Sequence, residues 1–124
     1  MKKFHVSEPW FTHIRNQAVS GKTHEGRPAL SRLANETIVG EVVEFWTGPD
    51  NKDYDTKTDS YLVRIGEKKY FFGIQPMVDC PHIGIMLPGM DRSAWYGYYS
   101  KLRQASGHGE DGMTAAIQVT VVKE

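Results

Sequence analysis

The apolar residues of this chain switch between a strand period and a helical period, and the switches divide it into elements. Phe4–Val6 reads as a short strand. Trp10, Ile14 and Ala18 then recur at i, i+4 and i+8, which lays an apolar stripe along one helix face. Ser7 stands where an N-cap belongs, and Pro9 falls in the first turn, where its missing N–H costs nothing. Val6 and Phe11 occupy the two positions of a hydrophobic staple, and Gly21 is placed to end the helix, which therefore runs from about Glu8 to Ser20.

Ile38–Trp46 predicts a strand with apolar groups on both faces. Residues 47–60 show no period and are rich in Asp, Asn, Gly and Thr, which predicts a solvated, mobile loop. Tyr61–Ile65 and Lys68–Gly73 flank Gly66-Glu67, a pair that signals a two-residue hairpin turn. Pro76, Pro81 and Pro88 cut the next stretch into loops and single helical turns. Asp91 or Ser93 caps a second helix that reaches about Gln104, with Trp95, Tyr99 and Leu102 at i, i+4 and i+7. Ala105–Gly112 is a Gly-rich loop, and Thr114–Val122 is a last strand with Ile117, Val119 and Val121 on its buried face. The expected fold class is α+β: a small, mostly antiparallel β-barrel with two or three helices packed at its ends.

Composition adds bounds. A chain of 124 residues favours one domain, here residues 1–124, and buries a core without a disulfide or metal staple. No intrachain disulfide is possible with one cysteine, Cys80. The N-terminus lacks the apolar stretch of a signal peptide, and no apolar run reaches the roughly 20 residues of a membrane helix, so a cytoplasmic location and no membrane partner are expected. Fifteen basic and fifteen acidic residues cancel, but not locally. Residues 1–32 hold six basic against two acidic side chains, a net +4, and residues 41–60 hold the reverse, a net −4. A polarised molecule is expected, with any polyanion held at the basic quarter.

The chemistry concentrates in Gly21-Lys22-Thr23-His24-Glu25-Gly26-Arg27. This stretch follows a helix, whose C-terminal carbonyls favour cations, and it lacks the spacing of a phosphate-binding loop, so that reading is rejected. If the stretch is extended, Thr23, Glu25 and Arg27 share one face, with Lys22 at its start. Glu25 and Arg27 can then form a partly buried ion pair, either tying a strand to a loop or flooring a pocket. In a pocket, Arg27 offers a planar fork, Glu25 accepts from an amine, Lys22 adds a point charge, and Thr23 and Arg32 complete the binding set.

Other candidates are weaker. Asp79-Cys80-Pro81-His82 holds metal-ligand types, with His5, His13 or His108 available as a further ligand, but the spacing is too tight and has no second pair, so a surface turn and no metal are expected. Tyr70, Phe71, Phe72, Tyr96, Tyr98 and Tyr99 are aromatics that could stack bases. Spacing assigns Trp95, Tyr99 and Phe45 to the core and leaves Tyr98 open. No nucleophilic triad is visible.

The order of these pieces resembles the ASCH domain family of the PUA-like superfamily. EPWFTHIRN…SGKTHEGR matches its opening helix and G-x-K-T-x-E-x-R motif through Gly21, Lys22, Thr23, Glu25 and Arg27, one residue tighter between Gly and Lys. Ser31-Arg32, Val39-Gly40-Glu41, Leu87-Pro88-Gly89, Trp95–Tyr99 and Ala116–Val122 follow in the family's order, and the acidic stretch 47–60 is the main departure. The resemblance implies a PUA-like barrel with a cleft beside the first helix, no cofactor, and a role in binding RNA or a modified nucleoside or nucleotide. It also implies an alternative, since some relatives are hydrolases: amidohydrolases acting on N-acetylated cytidine, and a ribonuclease. In that case Lys22 and Glu25 are the catalytic candidates. Lys22 matches the amidohydrolase lysine, but the position of its Thr nucleophile falls on Glu25.

Overall fold

The computed structural model describes residues 1–17, 23–29, 31–80, 91–105 and 112–122. Their elements are β1 (Lys3–His5), α1 (Trp10–Gln17), β2 (Thr23–Pro28), α2 (Arg32–Asn35), β3 (Val42–Thr47), a 3-10 turn (Tyr54–Thr56), β4 (Asp59–Phe72), α3 (Gln75–Asp79), α4 (Arg92–Ala105) and β5 (Met113–Val121). The class is α+β, as expected. Five strands form one mixed sheet in the order β1-β3-β4-β5-β2, with β1 parallel to β3 and the other pairs antiparallel.

The closed barrel is not what these strands build. The edge strands β1 and β2 are not hydrogen-bonded to each other, so the sheet is open. Edge β1 is only three residues long. Side chains from helices cover the core beyond it: Phe11 and Ile14 of α1 and Leu33 and Ala34 of α2 cluster with Phe4, Val43, Phe45, Val63, Ile65, Ala115, Ile117 and Val119.

The first helix begins at Trp10, two residues later than expected, and keeps its staple. Val6 and Phe11 are both buried in the main core, the staple arrangement. Its capping side chain is Glu8 rather than Ser7, with the Glu8 carboxylate accepting from the Thr12 amide at 2.9 Å and the Thr12 hydroxyl at 2.7 Å. A carboxylate suits that end because the helix dipole is positive there. Its expected end, through Ser20 and Gly21, lies outside the described residues.

One expectation in the middle of the chain is corrected. Gly66-Glu67 is no hairpin turn: β4 runs unbroken through it, and the register against β5 shifts between Ile65 and Lys68, a bulge. Both flanking segments pair with β5 on the same side, so the chain never reverses. Glycine at 66 leaves room for Gln118, whose side-chain oxygen and Cβ would lie 2.6 and 3.0 Å from a Cβ placed there. The actual hairpin joins β3 to β4 across residues 48–58, with Thr47 opposite Asp59.

That connection is the acidic stretch expected to be a solvated loop, and most of it is exposed. Within it, Asp53 caps the 3-10 turn, Tyr54 bonds the Glu44 carboxylate, and the ammonium groups of Lys3 and Lys57 sit over the Tyr54 ring at 4.0 and 4.1 Å. A lone aromatic in a polar stretch supplied an anchor that composition hid.

A second, smaller core lies on the opposite face of β5. Ile74, Met77 and Val78 of the α3 segment and Trp95 and Tyr99 of α4 pack around Ala116. One buried face was expected for the last strand. That holds towards Val121, whereas Thr114, Ala115 and Ala116 are all buried because helices cover the second face here. Trp95, Tyr99 and Phe45 are core, as their spacing required, but Leu102 is largely exposed. The buried stripe of α4 continues through Arg103 instead, whose guanidinium donates to the carbonyls of Gly112 at 3.0 Å and Met113 at 3.2 Å and ties the helix end to β5.

Candidate functional site

Strand β2 is extended, so alternate residues share a face. Thr23, Glu25 and Arg27 stand opposite Val119, Ile117 and Ala115, all members of the main core. The β2 face carrying the charged pair is thus the face turned to the interior. Thr23 is fully buried, and only 11% of the Glu25 side chain is exposed. Arg27 Nε donates to Glu25 Oε2 at 3.1 Å, and the arginine side chain remains 29% exposed. Burial pushes the Glu25 carboxyl above the usual carboxylate range, and the Arg27 charge and hydrogen bond oppose that push. Among the described residues this is the only hydrogen bond or ion pair made by either side chain, so the pair retains both acceptor and donor capacity.

The pair lies at the wall of a cavity of about 430 Å³ between α1, β2 and α4. Trp10 and Tyr98 supply aromatic walls, edge to face at 5.2 Å and 75°. Tyr98, left open by the sequence, is a half-buried lining residue. Burial raises the pKa of the Tyr98 and Tyr99 hydroxyls, and the negative field of Glu25 adds to it. Both tyrosines therefore stay protonated and able to donate. Through His5, Ser7 and Asn51 the cavity adjoins a wider basin that includes Glu8, Asp50 and Asp59.

The structure brings together only part of the expected set. Glu25 and Arg27 meet at the cavity; Thr23 is buried in the same strand away from it. Arg32 pairs with Glu36 at 2.9 Å, lies over the Phe4 ring, and does not line the cavity. Lys22 lies outside the described residues, as do His82, His108 and Leu87-Pro88-Gly89. Asp79 accepts from Gln75 at 2.7 Å, and among the described residues no three metal-ligating side chains cluster. Tyr70 and Phe72 are exposed and do not line the cavity.

Five polar lining residues were missed as such: His5, Ser7, Asn51, Arg103 and Thr114. His5 and Asn51 come from segments with no motif. Arg103 carried a signal, a cation at i+8 on the stripe begun by Trp95 and Tyr99.

Charge polarisation is also corrected. Lys2 pairs with Glu41 at 3.0 Å, Arg15 with Asp59 at 2.8 Å, and Lys3 covers Tyr54 beside Glu44. The basic quarter and the acidic stretch fold against each other, because β1 and α1 pack beside β3 and the start of β4. Most of the local excess is spent internally. Among the described residues no helix is long and apolar enough to cross a membrane.

No family model matches the chain, and no curated protein matches its sequence. Among solved structures, the hypothetical protein PH0355 is similar at a TM-score of 0.66 and 17% identity, over 98% of this chain and 100% of that one. Protein PF0455 from Pyrococcus furiosus is similar at 0.63 and 16%, over 99% and 98%. At such identities the likeness is one of fold alone. An ASCH domain from Lactobacillus crispatus JV V101 aligns with 97% of this chain and 79% of its own at a TM-score of 0.49 and 9% identity, a likeness on which no argument rests. What the comparisons establish is a fold shared from end to end with two archaeal-type proteins of no stated activity.

Proposed function

We propose that residues 1–124 form one ASCH-like domain of the PUA-like class, and that its cavity binds RNA, a nucleoside or a nucleotide by a single base. The observation that carries this reading is the Glu25–Arg27 pair, buried on its carboxylate side and facing an aromatic-walled cavity. A volume of about 430 Å³ suits a small planar ligand, since pockets for small molecules run from about 300 to 1,000 Å³. Trp10 and Tyr98 offer π faces, and Glu25, Arg27 and Asn51 offer polar groups for a base edge. The Lys2, Arg15 and Arg32 charges are engaged in ion pairs, which favours capture of one base over tracking a long phosphate backbone. Lys22 and Arg32 remain proposed as contacts to the flanking backbone of a longer RNA rather than to the phosphate of a bound nucleotide.

Calorimetry with nucleosides, nucleotides and a short structured RNA tests it. The expected result is saturable binding that Tyr98→Ala weakens about tenfold, the scale of one lost base–aromatic stack. Binding indifferent to Tyr98→Ala, or none by a folded protein, removes the reading.

One observation favours a hydrolase. Burial raises the Glu25 pKa towards the range of a general acid or base. With Lys22 as the electrostatic partner, the cavity would cleave an acyl group or a phosphodiester. Mass spectrometry of the incubated ligands decides this: a product mass lost in Glu25→Gln supports it, and turnover surviving that change excludes Glu25 chemistry.

A further inference from the structure

We propose that the cavity selects a heterocycle with a 2-amino-oxo edge, the edge of guanine or of a pterin, read jointly by Glu25 and Arg27. This rests on the reading of the cavity as a base-binding site and narrows it.

The wall sets its acceptors and donors in a definite order. Glu25 Oε2 accepts from Arg27 Nε at 3.1 Å, which sets the carboxylate beside the guanidinium. Glu25 Oε1 makes no hydrogen bond to a described residue, nor is it among the fully enclosed polar atoms lacking a partner, so it keeps capacity on the cavity side. A carboxylate offers up to four acceptor sites, so Oε2 retains one as well. The terminal guanidinium nitrogens of Arg27 likewise make no hydrogen bond to a described residue. The wall therefore presents acceptor, acceptor, donor in sequence.

The 2-amino-oxo edge is its complement. In guanine, the amino group and ring N–H donate to the two carboxylate oxygens, and the carbonyl oxygen accepts from arginine. The other bases fail at one or more places. Cytosine and adenine each set a ring-nitrogen lone pair against the ionised carboxylate, and uracil sets a carbonyl there. A buried acceptor facing an acceptor leaves both without a donor, which costs more than a missing contact. Hypoxanthine keeps the ring N–H and the carbonyl but lacks the amino group, so it isolates one hydrogen bond.

The basin beyond His5 and Asn51 adds a second constraint. Glu8, Asp50 and Asp59 line it, so an added phosphate there meets carboxylates rather than cations. Guanosine should bind no more weakly than guanosine monophosphate.

Calorimetry on the full chain at neutral pH, with guanosine, inosine, cytidine, adenosine, uridine and pterin, tests the proposal. Guanosine or pterin should bind about tenfold or more tighter than inosine and tighter still than the other three, and Glu25→Gln should close the guanosine–inosine gap. The tighter of guanosine and pterin names the source of the edge. Equal binding of guanosine and inosine, or tighter binding of cytidine, adenosine or uridine, overturns the proposal while leaving a base-binding site standing. No binding of any compound overturns both. The guanosine–inosine comparison needs no variant, so it decides even if Glu25→Gln fails to fold.

Discussion

Two arginine–carboxylate pairs of this molecule have opposite characters. Arg15 of α1 meets Asp59 of β4 through both terminal nitrogens at 2.8 Å and also donates to the Ser60 carbonyl at 3.0 Å. Its guanidinium covers the Phe11 and Tyr61 rings at 5.2 and 4.9 Å. That pair is saturated and well exposed, at 35% and 48% of the side-chain surfaces. Arg27 and Glu25 share one longer contact, yet the carboxylate is buried. A saturated pair in water fastens a helix to a strand. An unsaturated pair out of water spends stability to hold hydrogen-bonding capacity ready, which marks a recognition surface.

The comparison can be broken from either side. Arg27→Ala should have the largest effect on stability, because it leaves the Glu25 carboxylate buried without its cation. A loss of about 1–3 kcal/mol is expected in urea melts at neutral pH. Acid should shrink the loss as Glu25 takes up a proton.

Glu25→Gln should act the other way. Tyr61, Tyr98 and Tyr99 lie within the electrostatic reach of the Glu25 carboxyl, Arg27 bonds it, and burial outweighs the cation, so its pKa in the folded state lies above the unfolded value. A raised carboxyl pKa contributes stability below the unfolded pKa and loses it as pH rises through the folded one. Ionised Glu25 is therefore a cost at neutral pH. The variant should melt higher than the parent at about pH 8, and the two should converge at about pH 4, near the unfolded value. A variant that melts lower at about pH 8 would mean that the pair holds the fold together.

The smallest effect belongs to the better-formed pair. Arg15→Ala should cost about 0.2–1 kcal/mol despite its geometry, with its ion-pair part reduced by salt and base binding unchanged. The Arg15 charge holds the Asp59 carboxyl below its usual range, so this contribution is present above the unfolded pKa of Asp59 and lost as pH falls through the folded one. Urea melts at low and high salt check it.

The legible and illegible parts of the molecule differ by range. Local patterns worked: the Val6–Phe11 staple, the Trp95–Tyr99 stripe, the last strand, and the alternation that puts Glu25 beside Arg27. Each depends on residues a few positions apart. What failed required knowing a partner strand or a distant segment. Gly66-Glu67 has turn composition, but β5 continues pairing on both sides of it and makes it a bulge. The acidic stretch 47–60 is exposed as its composition reads, but composition does not show the anchor that Lys3 makes over Tyr54. The +4 of the first quarter reads as a phosphate surface until its charges meet Glu41 and Asp59. The cavity gathers His5, Glu25, Asn51 and the α4 pair Tyr98 and Arg103 from four separate segments, and only the Glu25 region announced itself.

Backbone amide NMR during a guanosine titration tests the central claim most directly. The account predicts shifts concentrated at Trp10, Glu25, Gly26, Arg27 and Tyr98, absent in Arg27→Ala at matched concentration. Shifts that instead map to the 48–58 connection or to the exposed Tyr70–Phe72 face, with β2 unmoved, would contradict it.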